Sequence, residues 1–149
     1  MTAMVDTYTA KDAVLELLRA IPTLNVFDGN VNEADPDLAA PFLDADGGVH
    51  IYAVLWASAG NPTGYRLCAT PDTKAWPFQV TAAGGDQTRA LRAADLVYAA
   101  LVSRRLSLPD GRASTPIRTV LGDQGPARLD RTVKPTRHWV PLLFSCRLA

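Results

Sequence analysis

The chain is poor in the residues that most chemistry needs. It holds two cysteines and two histidines in 149 positions, and its apolar runs are broken every few residues by Arg, Asp, Pro or Gly. No stretch of about 20 apolar residues is present to span a bilayer as a helix. Cys68 and Cys146 lie 78 positions apart in apolar sequence, a setting that suits buried reduced thiols better than a disulfide framework. His50 lies in an apolar run and His138 beside Trp139, neither with a His, Cys or Glu at metal-ligand spacing. Met1 to Asp6 lacks the basic patch and apolar run of a secretion signal, so synthesis and residence in a cytoplasm are expected. The formal net charge is zero, with 15 Lys and Arg against 15 Asp and Glu. That balance argues against holding DNA by bulk positive charge.

The motifs of common active sites are missing too. Gly84-Gly85 precedes a helical pattern, but no Lys follows at P-loop spacing and no third glycine completes a dinucleotide fingerprint. Asp86 would also repel a phosphate at that helix start, so a plain strand-to-helix turn is expected. The serines include no G-x-S-x-G elbow. Asn61-Pro62-Thr63 fails the glycosylation pattern because proline follows the asparagine. Asp35-Pro36-Asp37 and Asp44-Ala45-Asp46-Gly47 pair carboxylates, without the alternating ligands and terminal Glu of a calcium loop. No catalytic, cofactor-binding or metal-binding residues are therefore expected, and the chain reads as a non-enzyme.

What is present is an ordinary globular composition, 48% hydrophobic and 20% charged. A domain of this length buries about 70% of the surface its unfolded chain exposes, so residues 1–149 are read as one domain. Thr9-Ala10-Lys11-Asp12 resembles a capping box, and Ala10, Ala13, Val14, Leu17, Leu18 and Ile21 follow at helical spacing. A helix over about 9–21 follows, stopped by Pro22. Leu24 to Phe27 suits a short strand and 28–46 an exposed acidic loop broken by Pro36 and Pro41. Val49 to Trp56 is apolar at both alternating sets, as in a strand covered on both faces. Gly60 to Gly64 reads as a turn, Tyr65 to Ala69 as a strand edge and Trp76 to Thr81 as a strand. Asp86 caps a second helix from Gln87 to about Arg105, with Ala90, Leu91, Ala94, Val97, Tyr98, Leu101 and Val102 inward and Arg89 outward. Its last residues, Arg104 and Arg105, would complement the helix dipole. Ile117 to Leu121 and Trp139 to Leu148 read as strands, joined by an Arg/Pro-rich connector over 122–137. The order α-β-β-β-α-β-β predicts an α+β fold, a mostly antiparallel sheet with two helices packed on it.

Zero net charge hides an asymmetry. Residues 1–75 carry ten acids and four bases, whereas residues 76–149 carry five acids and eleven bases, ten of them arginine. Opposed patches of this kind favour contacts between unlike surfaces. The candidate interface residues are Asp35, Asp37, Asp44 and Asp46 on the acidic side. On the basic side they are Arg104, Arg105, Arg118, Arg128, Arg131, Lys134 and Arg137.

The stretch from Trp76 to Leu101, WPFQVTAAGGDQTRALRAADLVYAAL, resembles the central strand-turn-helix of tail terminator (tail completion) proteins. These belong to long-tailed siphovirus phages, especially those infecting actinobacteria. The first helix, the strand with its Tyr-Ala-Val-Leu-Trp core, the Pro-Asp-Gly-Arg turn and the final strand also follow that family's layout. The resemblance implies a virion structural subunit that forms a hexameric ring at the head-proximal end of the tail tube. Such a ring stops tube polymerisation and meets the head-closure and neck proteins, with DNA only passing through its lumen. Its partners would be further copies of itself, the major tail tube protein and neck proteins, with no membrane and no cofactor. Another neck component (head-closure or adaptor protein), a small non-enzymatic α+β binding domain and an enzyme with an unrecognised site are the rival readings.

Overall fold

The computed structural model describes residues 6–29, 43–63, 73–120, 125–132 and 135–148. Helix α1 (Thr7–Arg19) leads into β1 (Asn25–Asp28), β2 (Tyr52–Ala57), β3 (Asn61–Thr63) and β4 (Thr73–Gly84). Helix α2 (Gln87–Leu101) follows, then β5 (Arg118–Thr119), β6 (Arg128–Asp130) and β7 (Arg137–Leu148). The strands make one sheet in the order β1-β2-β4-β7-β5, with β3 also on β4 and β6 also on β7. Only the β1–β2 pair is parallel among the described strands. The fold is α+β with a mostly antiparallel sheet, as the element order predicts.

Two 12-residue strands form the spine, β4 and β7, in register from Lys74↔Leu148 to Gly84↔His138. Strict alternation sends Trp76, Phe78, Val80 and Ala82, with Val140, Leu142, Phe144, Cys146 and Leu148, to the face beneath the helices. Small residues on α2, namely Ala90, Ala93 and Ala94, let the helix lie close on that face, while α1 buries Ala10, Val14, Leu15 and Leu18. Aromatic rings run through this core in sequence: Trp76 to Phe78 at 4.7 Å, Phe78 to Phe144 at 5.4 Å and Phe144 to Tyr98 at 5.8 Å. The buried Trp76 indole donates to the Ser58 carbonyl at 2.9 Å, which satisfies its one polar atom.

Several sequence expectations are corrected. Helix α1 starts two residues before Thr9: Ala10 N–H donates to the Asp6 carbonyl, and Asp6 takes the N-cap position without a side-chain cap bond. Helix α2 ends at Leu101 rather than Arg105. Val102 leaves the helix with ψ of 132° and Ser103 turns left-handed at φ of 65°. The chain then exchanges backbone bonds with Ile117, Ser103 N to Ile117 O at 2.8 Å and Ile117 N to Arg104 O at 2.7 Å. Arg104 and Arg105 therefore lie outside the last helical turn. Leu91 and Val102, expected inward, are exposed, and Ala93 occupies the buried stripe instead. The presumed turn at Gly60 to Gly64 contains strand β3, where Pro62 is tolerated because the pairing is short and marginal to the sheet. The 122–137 connector contains β6, which pairs Arg128 with Trp139. The expected strand edge at Tyr65 to Ala69, with Cys68, lies outside the described residues.

Candidate interaction surfaces

The turn between β4 and α2 is built for close approach. A Cβ on Gly85 would stand 2.8 Å from Val49 N, and one on Gly84 would stand 2.6 Å from the Arg89 Cβ. Asp86 caps α2 as expected, its Oδ1 accepting from Arg89 N–H at 2.7 Å. The Arg89 side chain does not simply point away. Its guanidinium gathers three carboxylates: Asp46, bonded at Oδ2, Asp44 at 3.5 Å and Asp86 at 3.7 Å. The Arg89 hydrogen bond, aided by the Gly48 N–H, holds the Asp46 carboxyl below the usual aspartate range. His50 lies alongside, with Nδ1 2.8 Å from Asp44 Oδ1 and Nε2 2.7 Å from the Thr23 carbonyl. At the other end of the acidic segment, Lys11 Nζ donates to Asp28 Oδ2 at 2.8 Å. Every described acid of the segment thus has a basic partner in its own chain.

The basic side is different. Arg104, Arg105, Arg118, Arg128 and Arg131 are exposed, and among the described residues no carboxylate lies within 4.0 Å of them. Arg105 Nη1 makes a long bond to the Ser114 carbonyl, and Arg128 lies over the Trp139 ring at 5.4 Å. Arg137 is buried, its Nη1 donating to the Tyr52 hydroxyl at 3.0 Å and its guanidinium 5.8 Å from the Tyr52 ring. Asp35, Asp37 and Lys134 lie outside the described residues.

The face of the sheet away from the helices carries a second set of apolar groups. Tyr52, Val54 and Ala83 are buried there with Phe27 and Val49, and Trp139 packs against them. Further along, Trp56 is 45% exposed and Leu143 41% exposed. They flank a shallow depression of about 400 Å³, with Pro77, Gln79 and Val120 also on its wall. This depression was not anticipated. The signal for it lay in β7, where Trp139, Pro141 and Leu143 alternate with the core residues and make both faces of that strand apolar. Arg118 and Arg147 line an adjoining depression of about 470 Å³ with Ser145 and Pro77. Cys146, on the core side, is buried, and that burial pushes its thiol up to about 11.

Among the described residues no group of three or more His, Cys, Asp or Glu side chains is placed to hold a metal. No described helix is long and apolar enough to cross a membrane. No protein-family model matches the sequence, and no curated protein matches it. Among solved structures, a chain of the virion of a native gene transfer agent (GTA) particle is 19% identical, with 95% of each chain covered and a TM-score of 0.58. Another solved chain is 20% identical, covering 95% of this chain and 92% of its own, at a TM-score of 0.46. At 19% identity, the likeness to the GTA virion chain shows that the two share a fold along nearly their whole lengths.

Proposed function

We propose that the chain is a structural, non-enzymatic virion protein of a long-tailed phage or phage-like particle, acting as its tail terminator. In this reading copies close into a ring, in number six by the family resemblance, on the head-proximal end of the tail tube. The ring stops tube growth and joins the tail to the neck proteins, with DNA passing through its lumen. The observation that carries the reading is the end-to-end fold likeness to a chain of a GTA virion, which agrees with the resemblance of Trp76 to Leu101 to terminator sequences. The surface supports it: exposed arginines with no carboxylate partner among the described residues lie beside exposed apolar side chains, as on a protein that works by contact. Synthesis would be in the host cytoplasm and residence in the virion.

A ring of identical copies needs heterologous contacts, one patch against a different one. The candidate interface residues named from the sequence are proposed to lie at such contacts; Asp44 and Asp46, engaged by Arg89, and Arg137, buried against Tyr52, would have to give up partners within the chain to join them. Light scattering on a sizing column at about 0.15 M salt, near physiological ionic strength, tests the assembly. A mass near six times the 16.0 kDa subunit, or a concentration-driven rise toward it, supports the reading. A ring of that mass that leaves tube growth untouched points instead to a head-closure or adaptor role. A strict monomer that also leaves tube growth untouched contradicts both and favours a small binding domain.

A further inference from the structure

Side chains paired across antiparallel strands point to one face, so register alone orders the helix-free side of the sheet. Trp56 pairs with Gln79 and Gln79 with Leu143, making one row in which two exposed apolar side chains flank Gln79. Two residues along β7, Ser145 pairs with Pro77 and with Arg118, and two further on lies Arg147. Along β7, the row of Trp56 and Leu143 is therefore followed by Arg118 and then Arg147 at successive steps of about 6.8 Å. Helix α1 has a complementary outer stripe. Tyr8, 64% exposed, is followed at i+4 and i+8 by the exposed Asp12 and Glu16, at steps of about 6 Å along the helix. Glu16 has no basic partner among the described residues, and Asp12 has only Lys11 at 4.0 Å, whose closer contact is with Asp28. The described acids of the 28–46 segment are already paired within the chain, whereas α1 presents Asp12 and Glu16 exposed in one stripe.

We infer that the helix-free face of one copy docks the outer stripe of α1 of a second copy, Tyr8 against Trp56 and Leu143, Asp12 against Arg118 and Glu16 against Arg147. The occupant is a second copy because the chain itself presents the matching order of one aromatic and two acids at the matching spacing. Stacking the helix layer of one copy on the sheet face opposite the described helices of the next also covers that face in the way apolar sheet faces require. The contact is heterologous and propagates, closing into a ring when its rotation closes. The inference rests on the ring reading above and adds which surfaces make the ring.

The test uses the full chain with Tyr8 replaced by photoreactive p-benzoylphenylalanine. Irradiation is expected to give an intermolecular product whose tryptic map joins position 8 to the His138–Arg147 peptide or to the peptide carrying Trp56. In parallel, the pairs D12R/E16R and R118E/R147E, all at exposed positions, are each expected to weaken self-association roughly tenfold or more through like-charge contact. An equimolar mixture of the two variants restores every contact in alternation, and assembly is expected to return. Rings whose cross-links map elsewhere, or a mixture that does not reassemble, overturn the inference and leave the ring reading standing. A chain that stays monomeric and leaves tube growth unaltered overturns both. A monomer that instead retains DNA through Arg118 and Arg147 overturns the inference in favour of nucleic-acid contact.

Discussion

Leu143 and Phe144 are adjacent on β7 and face opposite ways, which makes them a sharp test of the two-sided sheet. Phe144 is fully buried beneath the helices, 5.4 Å from the Phe78 ring and 5.8 Å from Tyr98. Phe144→Ala removes a whole buried ring and leaves a cavity that β4, β7 and α2 cannot collapse around, at a cost of about 4 kcal/mol. A domain of this kind has a total stability of about 5–15 kcal/mol, so a large part is lost. At a urea dependence of about 2 kcal/mol per molar, the unfolding midpoint falls by about 2 M. Leu143→Ala, 41% exposed on the other face, is expected to cost under about 1 kcal/mol and shift the midpoint by less than about 0.5 M. Urea titration followed by fluorescence of the buried Trp76 and by circular dichroism reads both. Equal shifts for the two variants, or a Phe144→Ala protein as stable as the parent, would refute the assignment of faces on which the surface argument rests.

The cap at α2 gives a second prediction: Asp86→Ala removes the acceptor for Arg89 N–H and costs about 1 kcal/mol. The melting temperature should drop by about 2–4 °C for a chain of this size, measured by calorimetry; no drop would mean that the cap does not hold the helix. Gly85→Ala places a Cβ 2.8 Å from the Val49 backbone nitrogen, so the 43–50 turn must shift; a loss of about 1–3 kcal/mol is expected and urea unfolding checks it. Asp46 and Asp130 carry depressed pKa values, Asp46 mainly through Arg89 and Asp130 mainly through the Thr132 hydroxyl. Their contribution is present above the ordinary value of 3.8 and is lost as pH falls through the lower folded value. Arg89→Gln removes the larger cause at Asp46, so melts taken from about pH 5 down to about pH 2 should fall less steeply than the parent's; identical acid limbs would count against the cluster. Cys146, with its thiol pushed up to about 11 by burial, should resist alkylation at about pH 8, where an ordinary thiol is partly ionised. Peptide mapping should find it modified only after unfolding.

The parts of the fold that were legible in sequence are those whose signal is local. Asp86 capping α2, the 3.6-residue spacing of Ala90, Ala94, Val97 and Leu101, and the alternation of β7 each stand within one element. What was hidden depends on partners far along the chain. Arg89 looks solvent-facing from its helix position, and its role appears only when Asp46, 43 positions away, is folded against it. Helix α2 stops at Leu101 because Ser103 and Arg104 find backbone partners at Ile117, a competition that helix spacing does not record. β3 and β6 are three residues each, too short for periodicity to register. They form because β4 and β7 extend past their neighbours and offer unpaired edges. Of the candidate interface residues, the arginines were legible as a class from charge asymmetry. The division between arginines already engaged, such as Arg137 on Tyr52, and those still exposed on the sheet margin required the fold.

The proposed function is tested most directly by tube length. The cognate major tail tube protein is polymerised with increasing amounts of the chain, and tubes are measured by negative-stain electron microscopy. A terminator predicts tubes that shorten as the ratio of chain to tube protein rises, each with added density at one end only. Tubes of unchanged length at saturating chain, with no density at either end, would contradict the account.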